Sequence, residues 1–326
     1  MNSFSYELKD EVIDCLPQSD DESLSELSAI IKTCGEIIKN STNLSIVIKT
    51  EHKTLVELVK NIVQNLYGKE VVVNLANNSF LKKDRYELII PESIAKQVLI
   101  DTEILQYDEN KFLEINYGIS EYLITEESQE IAFLKGIFVG CFSCNINIQN
   151  NEGSSITEKT RHTTGYHGEF VFSNQNLARD FCFLLADFDI ISKMTSRKNL
   201  FVVYVKGLDM VCDLLALVGA TRGMLKLQNE GVIRSIRNNV NRQNNCINAN
   251  LTKMVDASVK QLQVIDKIKN SIGIDSLDES LKEVVYLRLA NPEESLDSLV
   301  KLSPNKISKS GLYHRLKKLE KIAEKL

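Results

Sequence analysis

Ser23-Leu24-Ser25-Glu26-Leu27-Ser28-Ala29-Ile30-Ile31 opens the first of two blocks whose comparison decides the fold. Ser23 can cap a helix, Glu26 three residues on can complete a capping box, and apolar residues recur at helical spacing, so a helix is expected to about Ile38. Residues 44–49, rich in β-branched side chains, read as a strand, and 54–67, with Leu55, Leu58, Val59, Ile62, Val63 and Leu66, as a helix. Strands at 70–75 and 86–91 and a helix at 93–105 complete the block.

The second block repeats this order. A helix is expected at 129–142, a strand at 145–149, a Gly/Ser/Thr-rich loop at 150–168 and a strand at 169–173. A helix at 175–187, strands at 190–194 and 200–205 and a helix at 208–218 follow. Two blocks of about 100 residues with one alphabet of elements indicate an internal duplication, and hence pseudo-two-fold symmetry. We place the repeats at 1–110 and 120–221.

Beyond Ala220 the texture changes. Residues 234–250 (RSIRNNVNRQNNCINAN) are crowded with Asn, Gln and Arg, and 222–250 reads as a polar connector carrying Arg234, Arg237 and Arg242. From 251 the pattern is helical, with Leu251, Met254, Val255, Leu262, Ile265 and Ile272 on one face and Ser258 and Lys269 as its polar exceptions. Ser276 or Asp278 can cap a helix at 281–289, Pro292 stops it, 295–302 forms a short amphipathic helix, and after Pro304 either Ser308 or Ser310 caps a last helix running to Leu326. Two helices joined by a short break, the second one basic, make 295–326 a helix-turn-helix within a helical domain at 251–326. Its last helix turns Leu312, Leu316, Leu319 and Ala323 inward.

Composition narrows the function. The 326 residues carry 39 Lys and Arg against 44 Asp and Glu, net −5, with 43% apolar residues, enough for a core in each domain and against wholesale disorder. No apolar run approaches the roughly 20 residues that span a bilayer, and the N-terminus has no signal-like segment, so a cytoplasmic protein is expected. Charge is segregated: residues 222–326 are net +7 and 1–221 net −12, which places any polyanion partner at the C-terminal end. Seven cysteines read as reduced core residues, and Cys141-x-x-Cys144 lacks the further ligands that zinc requires. No nucleotide-binding, serine-hydrolase or zinc-protease motif is present, and of the four histidines His162 and His167 flank a polar loop with no cluster to make a metal site. No cofactor is expected.

Three strings, 238–251 (NNVNRQNNCINANL), 286–299 (YLRLANPEESLDSL) and 307–318 (ISKSGLYHRLKK), together with similarity along the whole chain, resemble the WhiA sporulation and cell-division regulators of Gram-positive bacteria. The resemblance implies an α+β fold: duplicated LAGLIDADG-like αβ repeats with pseudo-two-fold symmetry, followed by an all-α helix-turn-helix domain that binds DNA. The motif helices would be 27–35 (LSAIIKTCG) and 134–142 (LKGIFVGCF), with Ala29, Gly136 and Gly140 permitting close contact. In active relatives of the fold an acid at the eighth motif position holds a divalent metal, a task for hard oxygen ligands. Here Cys34 and Cys141 stand at those degenerate metal positions and Phe142 replaces the second motif's closing glycine, so no cleavage is expected.

The expected protein is a non-enzymatic regulator of cell division and chromosome segregation, with sporulation as the role in spore-forming relatives. Its expected partner is double-stranded DNA, with a nucleoid location. Lys306, Lys309, Arg315, Lys317 and Lys318 are the phosphate-facing candidates and Ser310, Tyr313 and His314 the base-facing ones, with Lys301, Asn305 and Ser308 as further DNA-binding candidates. Arg234, Arg237 and Arg242 add backbone contacts. The alternatives are an interaction scaffold whose acidic body, 1–221, holds another regulatory or division protein, and a residual metal-dependent nuclease.

Overall fold

The computed structural model describes residues 3–40, 43–76, 85–107, 112–144 and 166–326. After α1 (Phe4–Ile13), the first repeat runs α2 (Asp20–Cys34), β1 (Gly35–Asn40), β2 (Asn43–Thr50), α3 (Lys53–Tyr67), β3 (Val72–Ala76), β4 (Arg85–Ile90) and α4 (Glu92–Asp101). A small hairpin, β5 (Leu105–Tyr107) and β6 (Leu113–Ile115), leads to the second repeat. That repeat runs α5 (Glu127–Cys141), β7 (Phe142–Cys144), β8 (His167–Phe172), α6 (Gln175–Asp187), β9 (Ser192–Arg197), β10 (Leu200–Lys206) and α7 (Leu208–Leu217). The two sheets, ordered β1-β2-β4-β3 and β7-β8-β10-β9, are antiparallel and topologically identical, so the duplication is real.

The pseudo-dyad is built by α2 and α5, and its closeness is set by residues without side-chain bulk. A Cβ on Gly136 would stand 2.5 Å from the Glu26 carbonyl oxygen and 2.6 Å from the Ala29 Cβ, and one on Gly140 would collide with the Thr33 hydroxyl. Around this contact lies a single core in which Ile30, Ile46, Ile48, Leu88 and Ile90 from the first repeat join Phe133, Phe138, Phe170 and Phe181 from the second. Phe142 stacks on Phe138 at 4.0 Å, so the bulky residue in place of the motif glycine is a core aromatic. The alternating burial along β8 and the fully buried Ile46 and Ile48 of β2 show each sheet turning one face to the helices.

Several expected boundaries move. The first motif helix begins a turn earlier, because Ser19 rather than Ser23 is its cap, accepting from the Glu22 N–H at 3.1 Å. It also ends four residues sooner than Ile38: Gly35 turns the chain into β1, and a Cβ there would lie 2.5 Å from the Ile31 carbonyl oxygen, so the abrupt exit needs glycine. The helix expected to begin at 129 starts at Glu127 and stops at Cys141, and α1, capped by Ser3, was not anticipated. The strand expected at 145–149 and most of the loop at 150–168, His162 included, lie outside the described residues.

The chain divides into two compact units, residues 1–233 and 234–326. The division falls within α8 (Thr221–Ser271), which corrects the expected polar connector: 222–250 is helical. Its Asn, Gln and Arg residues contain no proline, and from Val232 to Asn250 no glycine, so nothing interrupts a helix that stays solvated. In the second unit α9 (Glu279–Ala290), α10 (Leu296–Leu302) and α11 (Lys309–Ala323) close with the end of α8 around Ile265, Ile268, Leu281, Val285, Leu299, Leu312, Leu316 and Leu319. The buried face of α8 is therefore Ser258, Gln261, Ile265 and Ile268, while Leu251, Val255 and Ile272 of the expected face are exposed. Ser258 is buried because its hydroxyl donates to the Pro292 carbonyl.

Candidate nucleic-acid interface

The helix-turn-helix is held in place by polar clamps as well as by its core. Arg288, 2% exposed, donates from Nη1 to the carbonyl oxygens of Glu294 (2.7 Å) and Asn291 (3.4 Å), which fixes the turn between α9 and α10. Ser295 caps α10 by accepting from the Ser298 N–H at 3.1 Å. In the break that follows, Ser303 is buried with its hydroxyl 3.4 Å from Glu283 Oε1, Lys306 takes a positive φ of 45°, and Ile307 enters the core. Ser308, not Ser310, caps α11, accepting from the Gly311 N–H at 3.1 Å. The first-turn amides of Lys309 and Ser310 belong to the donors that an α-helix leaves without a partner within the helix, and donors of that kind suit an anion.

With Leu312, Leu316, Leu319 and Ala323 inward, α11 presents Ser310, His314, Lys317 and Lys321 on its outer stripe, flanked by Lys309 and by Tyr313, which is 48% exposed. Lys301, Asn305 and Lys306 are exposed at the end of α10 and in the break. The structure thus brings most of the expected residues to one end of one domain. It separates Arg315, which turns to the other flank: its Nη1 lies 3.3 Å from both the Ser280 carbonyl and Glu283 Oε2, with the side chain only 32% exposed. Arg315 fastens α11 to α9. Ser308 likewise spends its acceptor on the cap.

Three lysines have partners within the domain: Lys309 with Asp297 at 2.6 Å, Lys317 with Glu320 at 2.6 Å and Lys318 with Asp278 at 3.2 Å. Each lysine side chain is 45–60% exposed. The Lys309 and Lys318 pairs are exposed on both sides and worth at most about 1 kcal/mol, so a phosphate can replace the carboxylate, whereas the Glu320 partner of Lys317 is only 15% exposed. Lys321, one turn beyond Lys317, was missed as a site residue, although its spacing of seven from His314 already put it on the outer stripe. Arg234, Arg237 and Arg242 lie on α8, where the five-residue step from Arg237 to Arg242 rotates the latter about 140° around the axis.

The two cysteines expected at the metal positions are also described. Cys34 and Cys141 are the last residues of α2 and α5, adjacent at the pseudo-dyad, and each thiol donates to a carbonyl of its own helix, Ile30 at 3.2 Å and Ile137 at 3.4 Å. Burial pushes them up to about 11 and about 12, so both are neutral thiols at physiological pH. The charge beside them is the buried Lys9 ammonium. A divalent cation needs oxygen anions, and two protonated thiols with an ammonium do not fit it. Among the described residues no three His, Cys, Asp or Glu side chains gather to hold a metal.

The model of the WhiA N-terminal LAGLIDADG-like domain matches residues 20–105, that of the WhiA LAGLIDADG-like domain 152–237, and that of the WhiA C-terminal HTH domain 240–323. A probable cell division protein WhiA of Thermoanaerobacter sp. (strain X514) is 35% identical over 327 residues, 99% of this chain and 98% of that protein. One of Clostridium beijerinckii is 36% identical over 330 residues, with the same coverage. The crystal structure of full-length DUF199/WhiA from Thermatoga maritima has the same fold, with a TM-score of 0.54 at 23% identity over 100% of this chain and 99% of that one.

Proposed function

The chain belongs to the WhiA family, and on that premise we propose that it is a regulator that binds double-stranded DNA through α11 and does not cleave it. The observation that carries this reading is the outward stripe Ser310, His314, Lys317 and Lys321 behind the two first-turn amides at the capped start of α11, a helix end suited to a major groove. Lys309, Lys317, Lys318 and Lys321, with Lys301 and Lys306 from the preceding break, neutralise phosphates; Ser310, Tyr313 and His314 reach base edges. Arg237 and Arg242 supplement them from α8. The relatives' name, probable cell division protein WhiA, supports extending this reading to cell division; service in chromosome segregation, in sporulation where the organism forms spores, and a cytoplasmic, nucleoid-associated location complete the proposal.

The absence of cleavage is supported by Cys34, Cys141 and Lys9 at the pseudo-dyad and by the net −12 of residues 1–221, which repels a polyanion. The test is retention of genomic fragments by the full chain at two salt concentrations with magnesium present, the products being run on a denaturing gel. Selective, salt-sensitive retention of intact strands is expected. Changing Lys317 and Lys321 together to Glu should weaken binding and lower the salt slope by roughly 2. Retention indifferent to that double change would remove α11 as the interface, and with no retention at all the acidic body, as a scaffold for another protein, becomes the functional part.

A further inference from the structure

Where α2 and α5 end, a cavity of about 310 Å³ opens that the DNA reading leaves unused. Lys9, Lys49, Thr50, Glu51, His52 and Arg85 line it, from α1, β2, the turn after β2, and β4. Lys9 is 9% exposed and makes no hydrogen bond or ion pair among the described residues. His52 Nδ1 is sealed from solvent without a hydrogen bond, its nearest carboxylate oxygen, Asp10 Oδ1, standing 3.8 Å away, beyond hydrogen-bond reach. The other two cations have weak, exposed partners: Lys49 with Glu36 at 2.7 Å, and Arg85 with Glu51 at 3.7 Å.

A buried ammonium that makes no ion pair, with Glu51 of the same lining as the one carboxylate that attracts it, still carries an uncompensated desolvation cost, and such a group persists where something offsets it. The geometry points to this cavity as a site for the phosphate group of a small soluble molecule, with Lys9 as the buried anchor. Three cations from separate elements, a threonine hydroxyl and a neutral imidazole offer more donors than the two oxygens of a carboxylate can use, and they suit the three of a terminal phosphate. The volume accommodates a phosphate with a small organic remainder. A duplex backbone is the poorer occupant, because Lys9 lies below the surface of a body carrying net −12. This proposal is independent of the α11 reading, since no residue is shared.

The test is isothermal titration calorimetry of the full chain with orthophosphate and with inorganic pyrophosphate, with citrate as the carboxylate control. Saturable binding of at least one phosphate, at least roughly tenfold weaker for citrate, is expected. Lys9→Met, which keeps the buried volume, should lose that binding by tenfold or more while circular dichroism and melting stay intact; Arg85→Gln, at the surface, serves if the first variant does not fold. No saturable phosphate binding, citrate binding as tight, or undiminished binding in the folded Lys9→Met protein (or in Arg85→Gln, where that variant serves) would each overturn the proposal. A further arm uses the Lys317→Glu, Lys321→Glu double variant: duplex DNA that it still binds, and that pyrophosphate displaces, would make the occupant a backbone phosphate and also overturn it.

Discussion

Glu26 is a buried carboxyl at the pseudo-dyad. It is 1% exposed, its Oε2 has no partner, and burial raises its carboxyl from 4.5 to about 8, with Lys135 opposing only part of the shift. The folded body therefore holds a proton that the unfolded chain gives up. Stability should fall as pH rises from 4.5 towards 8 and level off on either side. Glu26→Gln removes the titration, so its melting temperature should match the parent's near pH 4.5 and exceed it increasingly up to pH 8; a constant difference across that range would refute the assignment. At Gly136, by contrast, the constraint is steric: Gly136→Ala presses a methyl group against the backbone of α2 and should destabilise the body by about 1–3 kcal/mol in denaturant unfolding. The Glu26 effect could not be read from the chain, because Glu26 looked like half of a capping box; the close packing at Gly136 was expected from the family resemblance, whereas its contact with the Glu26 carbonyl, a hundred residues away in the chain, was not.

At the scale of elements, the helix-turn-helix separates groups that hold it from groups that can touch DNA. Arg288 and Arg315 belong to the first kind, Lys317 and Lys321 to the second. Salt dependence tells them apart. Arg288→Met should lower the melting temperature of residues 234–326 and weaken DNA retention while leaving the salt slope unchanged, because no phosphate contact is removed. Arg315→Ala should behave in the same way, and a slope reduced by about 1 would instead return Arg315 to the phosphate-facing set. The outline of this motif was legible: Ser295 and the inward stripe of α11 were both expected, and Ser308 was one of two expected caps. The role of Arg315 was not, since Lys-rich helices look alike until their neighbours are known.

Among the described residues of the whole molecule there are two hydrophobic cores, one in each unit. Calorimetry of the full chain should show two transitions, with Gly136→Ala lowering one and Arg288→Met the other. Sequence alone determined the duplication, the charge segregation, the cysteines at positions 34 and 141 and the helix-turn-helix, because hydrophobic period, caps and residue identity are local properties. Asn-rich 222–250 misled because low apolar content resembles a loop, whereas the absence of breakers leaves a solvated helix available. Only the tertiary structure placed Lys9 beneath Cys34 and Cys141 and turned Arg315 onto α9. Burial and pairing depend on residues far apart in the chain, and those fix whether a charge is a structural tie, a buried cost or a free contact for a ligand.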